Sequence, residues 1–318
     1  MHGVFLDTAT MKPDELDFSA LRATLDSWDF HERTAPAEVA DRIAGADVIV
    51  TNKVVITGDH LRTTPRLKLV CVCATGTNNV DLDAARAAGI PVRNVTGYAA
   101  ASVAQHTLAL MLGLATCWHR YHEAVLAGDW ARSPMFCLMD YPVSELAGKT
   151  LGIVGSGHLG SRVAQLGEAF GMSVIVAQLP GRPAGAAGGG WPRLPWHEFL
   201  ARADYVSLHC PLTPETRHLL GERELRMMKP GAFLINTARG GIVDEAALLQ
   251  ALRENRIAGA ALDVLEQEPP AADHPLIAAR LPNLLLTPHN AWVSRECRQR
   301  LLDGVTGNIV TWRGAQHP

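Results

Sequence analysis

Short apolar runs alternate with segments of helical periodicity through the first hundred residues. The strand-like runs are VFL (Val4 to Leu6), DVIVTN, LKLVCVCA and IPVRN. Helical patterns lie between them at residues 20–25, 36–44 and 82–88, and a glycine follows each of the last two. This alternation predicts a mostly parallel sheet with helices on both of its faces.

The pattern changes after residue 98. Apolar positions cover most helix faces over residues 99–118, which predicts a long buried helix. Residues 127–146 mix glycine, proline, aromatic and charged residues, so we expect an irregular arm there. The glycine- and proline-rich tract at 180–192 predicts a flexible loop.

A second β-α series begins at Lys149. Its strand-like runs are TLGIVG, SVIVA, DYVSLH, AFLIN, GAALDV and NLLLT, and helical patterns lie at 158–170, 222–228, 245–254 and 294–312. Both halves of the chain therefore use the same α/β logic, and 318 residues are enough for two domains.

Composition and charge narrow the function classes. The net charge of −3 argues against a nucleic-acid-binding or polybasic membrane-binding surface. The N-terminus has no signal-peptide pattern, and Gln105 and His106 interrupt the longest apolar segment, so we expect a cytoplasmic protein. Six scattered cysteines form no CxxC pair, which favours reduced, packed thiols over a metal site or a disulfide.

A glycine turn follows the first strand of the second series. Gly155, Gly157 and Gly160 have GxGxxG spacing between an apolar strand and a helical pattern. The first glycine permits a tight turn, the second allows backbone to approach a pyrophosphate, and the third permits close helix–strand packing. The helix N-terminus presents free N–H groups to the phosphates. We predict a dinucleotide site, with a turn that merely packs as the alternative.

Charged side chains follow three successive buried strands. AFLIN leads to Arg239, GAALDV leads to Glu266 and Glu268, and NLLLT leads to His289. One such residue alone would be a surface charge or part of a structural ion pair. Their complementary chemistry favours a site at the carboxyl ends of the strands. Asp263 lies within an apolar run, so its carboxylate needs a donor from the protein or the cofactor.

These blocks resemble the D-isomer-specific 2-hydroxyacid dehydrogenases over nearly the whole chain. The matching segments are CVCATGTNNVDLDAA, SVAQHTLALML, GSGHLG, NTARGGIVDE, GAALDVLEQEPP and TPHNAW. The DYP segment of the arm and the HNAW block are most similar to the glycerate dehydrogenase (hydroxypyruvate reductase) branch of that family.

The resemblance implies two doubly wound parallel-sheet domains, Rossmann-like and flavodoxin-like, with a cleft between them. Residues 1–98 plus 292–318 would form the substrate domain. Residues 99–291 would form the nucleotide domain, in which the helix and arm at 99–147 serve a homodimer. The two crossings between domains suggest a hinge.

The resemblance also implies catalytic roles. Arg239 would clamp the carboxylate and the 2-oxo oxygen of the substrate. His289 would be the general acid in reduction and the base in the reverse direction. Glu268 would orient the imidazole of His289 and favour its protonated form. Substrate contacts are expected from Thr75, Gly76, Arg239 and Trp292.

Cofactor contacts are implied along the nucleotide domain, and no metal is expected. Asp263 would meet the nicotinamide carboxamide, whereas His106 is predicted to be a packing or interface residue. The expected cofactor-binding residues are Thr107, Gly155, Ser156, Gly157, His158, Leu159, Gln178, Arg182, His209, Cys210, Pro211, Thr216, Thr237, Ala238, Asp263, His289 and Ala291.

The choice between NADP(H) and NAD(H) depends on the residue at the end of the SVIVA strand, Gln178. An acidic residue there would bind the adenosine ribose and repel a 2′-phosphate. Gln178 removes that repulsion, and Arg182 would pair with the phosphate unless it points to solvent. The sequence therefore favours NADP(H), with NAD(H) as the alternative.

The expected activity is NAD(P)H-dependent reduction of a small 2-oxo acid, such as hydroxypyruvate or glyoxylate, and the reverse reaction. A D-3-phosphoglycerate dehydrogenase-like activity is one alternative, because GTNNVD resembles that branch. A non-catalytic, dinucleotide-sensing binding protein is the other. Formate dehydrogenation is disfavoured, because Glu268 stands where that branch has glutamine. Neither a nucleic acid nor a membrane is an expected partner.

Overall fold

The computed structural model describes residues 1–179 and 189–316. The strands are β1 (His2–Phe5), β2 (Ser27–Phe30), β3 (Val48–Thr51), β4 (Leu69–Val72), β5 (Val92–Asn94), β6 (Thr150–Val154), β7 (Ser173–Gln178), β8 (Arg193–Pro195), β9 (Tyr205–Leu208), β10 (Phe233–Asn236), β11 (Gly259–Leu262) and β12 (Leu284–Leu286). The α-helices are α1 (Ser19–Arg22), α2 (Val39–Ile43), α3 (Gly58–Thr63), α4 (Leu82–Ala87), α5 (Ala100–Thr116), α6 (Trp118–Leu126), α7 (Asp129–Arg132), α8 (His158–Ala169), α9 (Trp196–Arg202), α10 (Glu222–Met227), α11 (Glu245–Arg253), α12 (Pro275–Ala278) and α13 (Arg295–Gln316).

The chain divides into two compact units, residues 1–99 with 292–318, and residues 100–291. The first unit has a five-stranded sheet in the order β2-β1-β3-β4-β5, and the second has a seven-stranded sheet in the order β12-β11-β10-β9-β6-β7-β8. Every strand pairing in the described residues is parallel. The predicted class of two doubly wound α/β domains is confirmed.

Both faces of the seven-stranded sheet are buried, which explains its nearly continuous apolar strands. Leu151 and Ile153 of β6 pack in a core cluster with residues of α5 and α8. On the other face of β6, Val154 packs in a cluster with residues of α9 and α11. Gly152 also faces this side, and a Cβ there would lie 2.6 Å from Phe199 of α9. The glycine therefore lets α9 approach the sheet closely.

The structure differs from the sequence-based expectation at several elements. The long helix ends at Thr116, because Cys117 takes a left-handed conformation (φ 49°) before α6. Helix α7 lies within the arm that was expected to be irregular. Residues 180–188 of the predicted loop at 180–192 lie outside the described residues. In the rest of that loop, Trp191 is buried and its indole N–H donates to Glu168.

Strands β2 and β8 were missed, because both are short edge strands without an apolar run. Strand β2 reads SWDF and is partly exposed along its length. Strand β8 reads RLP, and edge positions tolerate its proline.

Within residues 1–179 and 189–316, no single helix is both long enough and apolar enough to cross a membrane. Helices α5 and α6 reach that length and composition only as a pair bent by 63°.

Candidate active site

The glycine turn joins β6 to α8. Gly155 has φ +98°, and a Cβ on it would lie 2.7 Å from the backbone nitrogen of Cys210. A Cβ on Gly160 would collide with the carbonyl oxygen of Gly155. A Cβ on Gly157 would meet nothing within 4 Å. Packing therefore requires two of these glycines, whereas the third borders open space, as expected where backbone approaches a ligand.

The N-terminus of α8 suits a dinucleotide pyrophosphate. Gly157 is the N-cap, and no side chain caps the helix within the described residues. The first-turn N–H groups, including those of His158 and Leu159, are thus available at the positive end of the helix dipole. The hydroxyl of Ser161 donates to the carbonyl of Ser156 at 3.1 Å and holds the turn. The residues present fit a bound pyrophosphate.

The loop after β9 lies beside this turn. The backbone N–H of His209 donates to the carbonyl of Val154 at 2.7 Å. Burial lowers the pKa of the His209 imidazole to about 3, so the ring is neutral in the folded protein at neutral pH. Its Nε2 lies 2.8 Å from Ser207 Oγ, whereas its buried Nδ1 has no partner within the described residues.

Thr216 closes the same loop. Its hydroxyl donates to the carbonyl of Pro211 at 2.7 Å and accepts from the backbone N–H of Thr213 at 2.7 Å. Cys210 is buried. These bonds hold the backbone of residues 209–216 in one conformation beside the glycine turn.

Three neighbouring strands end at the same edge of the sheet. The last paired residues of β10, β11 and β12 are Asn236, Leu262 and Leu286. The residues that follow them are Thr237, Asp263 and Thr287. Because the strands are parallel and in register, these three residues lie level at the carboxyl edge, where α/β sheets bind their ligands.

Asp263 is 1% exposed and is held by hydrogen bonds from the protein. Its Oδ1 accepts from the Thr287 hydroxyl at 2.5 Å and from the Asn290 N–H at 3.0 Å, and its Oδ2 accepts from the Ala291 N–H at 3.0 Å. Burial opposes ionisation, but the bonds from His106, Thr287 and the two N–H groups outweigh it and lower the pKa of the Asp263 carboxyl. A contact between Asp263 and the nicotinamide carboxamide stays a prediction.

Helix α5 reaches these strand ends through two adjacent residues. His106 Nε2 lies 3.0 Å from Thr287 Oγ1 and 3.4 Å from Asp263 Oδ1. Thr107 Oγ1 lies 3.0 Å from Thr237 Oγ1. The sequence predicted a packing or interface role for His106, and the structure instead places it on the buried carboxylate. Only the polar pair at 106–107 in an apolar helix hinted at this position.

His289 stands in a left-handed conformation with φ 52°, which is uncommon for a residue other than glycine. The turn is fixed because its N–H donates to the Asp263 carbonyl at 2.7 Å. Its Nδ1 lies 2.6 Å from Glu268 Oε2, and Glu268 Oε1 accepts from the Leu265 N–H at 3.0 Å. The other ring nitrogen, Nε2, has no hydrogen-bond partner within the described residues.

Arg239 follows β10 and is exposed. Its Nη1 donates to the Ala238 carbonyl at 2.7 Å, and no carboxylate of the described residues pairs with it. The next residue, Gly240, lies against the backbone of Leu265, and a Cβ there would collide with it. This close approach brings the Arg239 turn beside the segment that leads to Glu268.

Gln178 ends β7 and is partly buried. At this position, nucleotide-binding sheets of this type usually have an acidic residue that binds the ribose. Arg182, its predicted partner on the phosphate, lies outside the described residues.

The expected substrate residues of the other unit lie after β4 and at the start of its C-terminal segment. Thr75 is exposed, its hydroxyl donates to the Val95 carbonyl at 3.2 Å, and its carbonyl accepts from the Asn94 side chain at 2.5 Å. Within the described residues, the backbone N–H groups of Thr75 and Gly76 donate no hydrogen bond. Trp292 is partly buried and packs against the core of its own unit.

Known proteins match this architecture. A family model described as "D-isomer specific 2-hydroxyacid dehydrogenase, NAD binding domain" matches residues 108–291. The chain belongs to this family. It is 42% identical over 310 residues to the glycerate dehydrogenase of Methylorubrum extorquens, covering 94% of this chain and 95% of that protein. It is 36% identical over 310 residues to the hydroxypyruvate reductase of Blautia hydrogenotrophica, covering 96% of this chain and 95% of that protein.

Solved structures of the family agree. The D-lactate dehydrogenase of Aquifex aeolicus, complexed with NAD and lactic acid, has a TM-score of 0.82 and 28% identity, covering 99% of this chain and 96% of that one. The predicted family and enzyme class are confirmed. This dehydrogenase therefore uses a nicotinamide dinucleotide cofactor.

Two glycine variants of the dehydrogenase separate packing from cofactor binding. Gly160→Ala is expected to lower the free energy of unfolding of the cofactor-free protein, because overpacking costs about 1–3 kcal/mol. The new methyl group would collide with the Gly155 carbonyl, so we expect a cost in the upper part of this range, which exceeds the gain of about 1 kcal/mol from the better helix propensity of alanine. Gly157→Ala is expected to change stability by less than about 1 kcal/mol, yet to weaken NAD(P)H binding, because the new methyl group occupies the open space.

Urea denaturation measures the stability of both variants, and fluorescence titration with NADH and NADPH measures binding. A stable Gly157→Ala protein that binds both dinucleotides as tightly as the wild type would remove the pyrophosphate from this turn.

Proposed function

We propose that this dehydrogenase reduces a small 2-oxo acid, such as hydroxypyruvate or glyoxylate, to the D-2-hydroxy acid, and catalyses the reverse reaction. The observation that carries the proposal is the His289–Glu268 pair at 2.6 Å, held at the carboxyl edge of the sheet beside the Arg239 turn. The names of the relatives, glycerate dehydrogenase and hydroxypyruvate reductase, support this substrate class.

The bound cofactor supplies the hydride that the carbonyl carbon accepts. The guanidinium of Arg239 has no carboxylate partner within the described residues, and its planar fork suits the carboxylate and 2-oxo oxygens of the substrate. His289 then gives the proton on Nε2 to the carbonyl oxygen, and it takes that proton back in the reverse direction. Glu268 accepts from Nδ1, which orients the ring and compensates its positive charge.

Thr75 and Gly76 are proposed to donate their backbone N–H groups to the substrate carboxylate, and Trp292 is proposed as a further substrate-binding residue. The cofactor contacts proposed for unit 100–291 are those expected from the sequence, from Thr107 to Ala291. A non-catalytic sensor is not favoured, because the chain has a complete set of acid, carboxylate and guanidinium groups. A phosphoglycerate dehydrogenase-like activity is not favoured, because relatives matched over nearly the whole chain are named glycerate dehydrogenase and hydroxypyruvate reductase.

His289→Ala is expected to lower kcat for hydroxypyruvate or glyoxylate reduction by about 10²- to 10⁴-fold, the usual contribution of a general acid. The Kd of the cofactor should change far less than kcat, because His289 is one of many proposed cofactor contacts and dinucleotide binding does not require proton transfer. Steady-state kinetics measures the first quantity, and fluorescence titration measures the second.

Glu268→Gln is the matched comparison, because it keeps the shape and removes the charge. The Glu268→Gln variant should lose about tenfold to a hundredfold in kcat, since a charge-assisted hydrogen bond is replaced by a neutral one.

Turnover of His289→Ala near the wild-type rate would remove His289 from the proton-transfer role.

NADP(H) is the proposed preferred cofactor. Gln178 removes the charge that would repel a 2′-phosphate, and its side chain is only partly buried at the end of β7. Arg182 is the cation that the sequence offers for the phosphate. Comparison of kcat/KM with NADPH and NADH decides the preference, and a higher value with NADH would contradict it.

A homodimer built on α5, α6 and the arm is also proposed. Large apolar side chains are exposed along this part of the unit, namely Trp118, Val125, Leu126, Trp130, Met135, Phe136, Met139 and Val143. Such a patch is typical of an interaction surface. Sedimentation equilibrium should give about twice the 34.2 kDa chain mass, and a species of one chain mass alone would contradict the dimer. Cytoplasmic location is part of the same proposal and is tested by cell fractionation.

A further inference from the structure

We propose that Arg193, on the edge strand β8, binds the 2′-phosphate of NADPH together with Ser156 of the glycine turn. This inference rests on the proposed preference for NADP(H). It assigns that preference to Arg193 on β8, whereas the sequence pointed to Arg182 in the tract that follows β7. Its basis is the position of the Arg193 side chain, the absence among the described residues of a carboxylate that pairs with it, and the uncharged residue at the end of β7.

The position of Arg193 follows from the order of the strands. Strand β7 lies between β6 and β8, and Arg193 pairs with Val176 of β7, two residues before Gln178. The Arg193 side chain nevertheless reaches the turn that follows β6, where its Nη2 donates to Ser156 Oγ at 3.3 Å. The guanidinium therefore crosses β7 close to its carboxyl end. In dinucleotide-binding sheets the adenosine ribose lies between these two features, the glycine turn and the end of the next strand.

The charge of Arg193 is not neutralised within the described residues. The guanidinium is a cation, and the one hydrogen bond that it makes to residues 1–179 and 189–316 is to Ser156. Its buried Nε has no hydrogen-bond partner in the same part of the chain. By contrast, Arg202 of the neighbouring helix α9 pairs with Glu198 at 3.1 Å. A partly buried cation without a counter-charge carries a desolvation cost that a bound anion would offset.

The chemistry favours the 2′-phosphate over the pyrophosphate. The N–H groups at the start of α8 are already available for the pyrophosphate. Gln178 ends β7 without a negative charge, so a phosphate on the ribose meets no carboxylate there. The planar guanidinium presents several N–H donors to phosphate oxygens. Because Ser156 Oγ accepts from Arg193, its own O–H is free to donate to the same phosphate.

Binding of four probes without substrate tests this assignment. The probes are NADPH, NADH, 2′,5′-ADP and 5′-AMP, and isothermal titration calorimetry gives the Kd of each. Arg193→Gln should raise the Kd of NADPH and 2′,5′-ADP by about tenfold to a hundredfold, the usual effect of losing a charge-assisted hydrogen bond. The Kd of NADH and 5′-AMP should change by less than about twofold, because they lack the 2′-phosphate.

Two further variants make the test specific. Arg193→Lys keeps the charge and loses the fork, so it should retain part of the preference for 2′,5′-ADP over 5′-AMP. Arg202→Gln removes one equal charge from an exposed side chain of the adjacent helix α9 and should leave all four Kd values unchanged. Melting temperatures of the cofactor-free variants show that each is folded.

Several outcomes would overturn the assignment. If Arg193→Gln raised the Kd of NADPH and of NADH equally, Arg193 would contact a part of the dinucleotide that both cofactors share, not the 2′-phosphate. Unchanged binding, or loss of the preference in Arg182→Gln but not in Arg193→Gln, would remove Arg193 from the phosphate. The reductase proposal is tested by a different experiment, since it would be contradicted if no 2-oxo acid were reduced. That result would not change the comparison of Kd values, which needs no substrate.

Discussion

The carboxylate of Asp263 determines the geometry of the candidate site. Asp263 directly follows a buried strand, is 1% exposed, and accepts hydrogen bonds from Thr287, Asn290 and Ala291. A buried carboxylate needs such partners, because one left unpaired costs several kcal/mol. The same residue accepts the His289 N–H through its carbonyl. Segment 287–291 is therefore folded around the residue that follows β11, and the left-handed conformation of His289 is stabilised by this arrangement.

The rest of the site is a consequence of parallel strands in register. Strands β10, β11 and β12 end level, so Arg239, Glu268 and His289 come from three successive connections at one edge of one sheet. Gly240 lets the first connection lie against the second, and the Glu268–His289 bond joins the second to the third. The glycine turn after β6 lies at the same edge, which is the edge where sheets of this type bind dinucleotides.

Much of this was predictable from the sequence, because it depends on local patterns. The apolar runs predicted the strands, GxGxxG predicted the turn, and charged residues after three buried runs predicted the site. The requirement that Asp263 find donors also followed from burial alone. The identity of those donors did not, because they lie 24 to 28 residues further along the chain.

The sequence did not predict the contacts of His106 and Arg193, because those contacts depend on the tertiary structure. His106 resembled a packing residue, and only the contact of α5 with the strand ends shows its bond to Thr287. Strand β8 has three residues and ends in proline, so nothing in its pattern predicted that Arg193 reaches the glycine turn. Edge strands carry weak sequence signals, because they lack the buried apolar run that marks central strands.

The most direct measurement of the central claim is the configuration of the product. With one proton donor fixed at one sheet edge, the bound dinucleotide should give its hydride to a single face of the substrate carbonyl. Since the family is D-isomer specific, hydroxypyruvate reduced by the purified protein should give only D-glycerate. Chiral chromatography of the product, with dinucleotide oxidation followed in parallel, reads this result. L-glycerate, a racemic product or no dinucleotide oxidation would contradict the account.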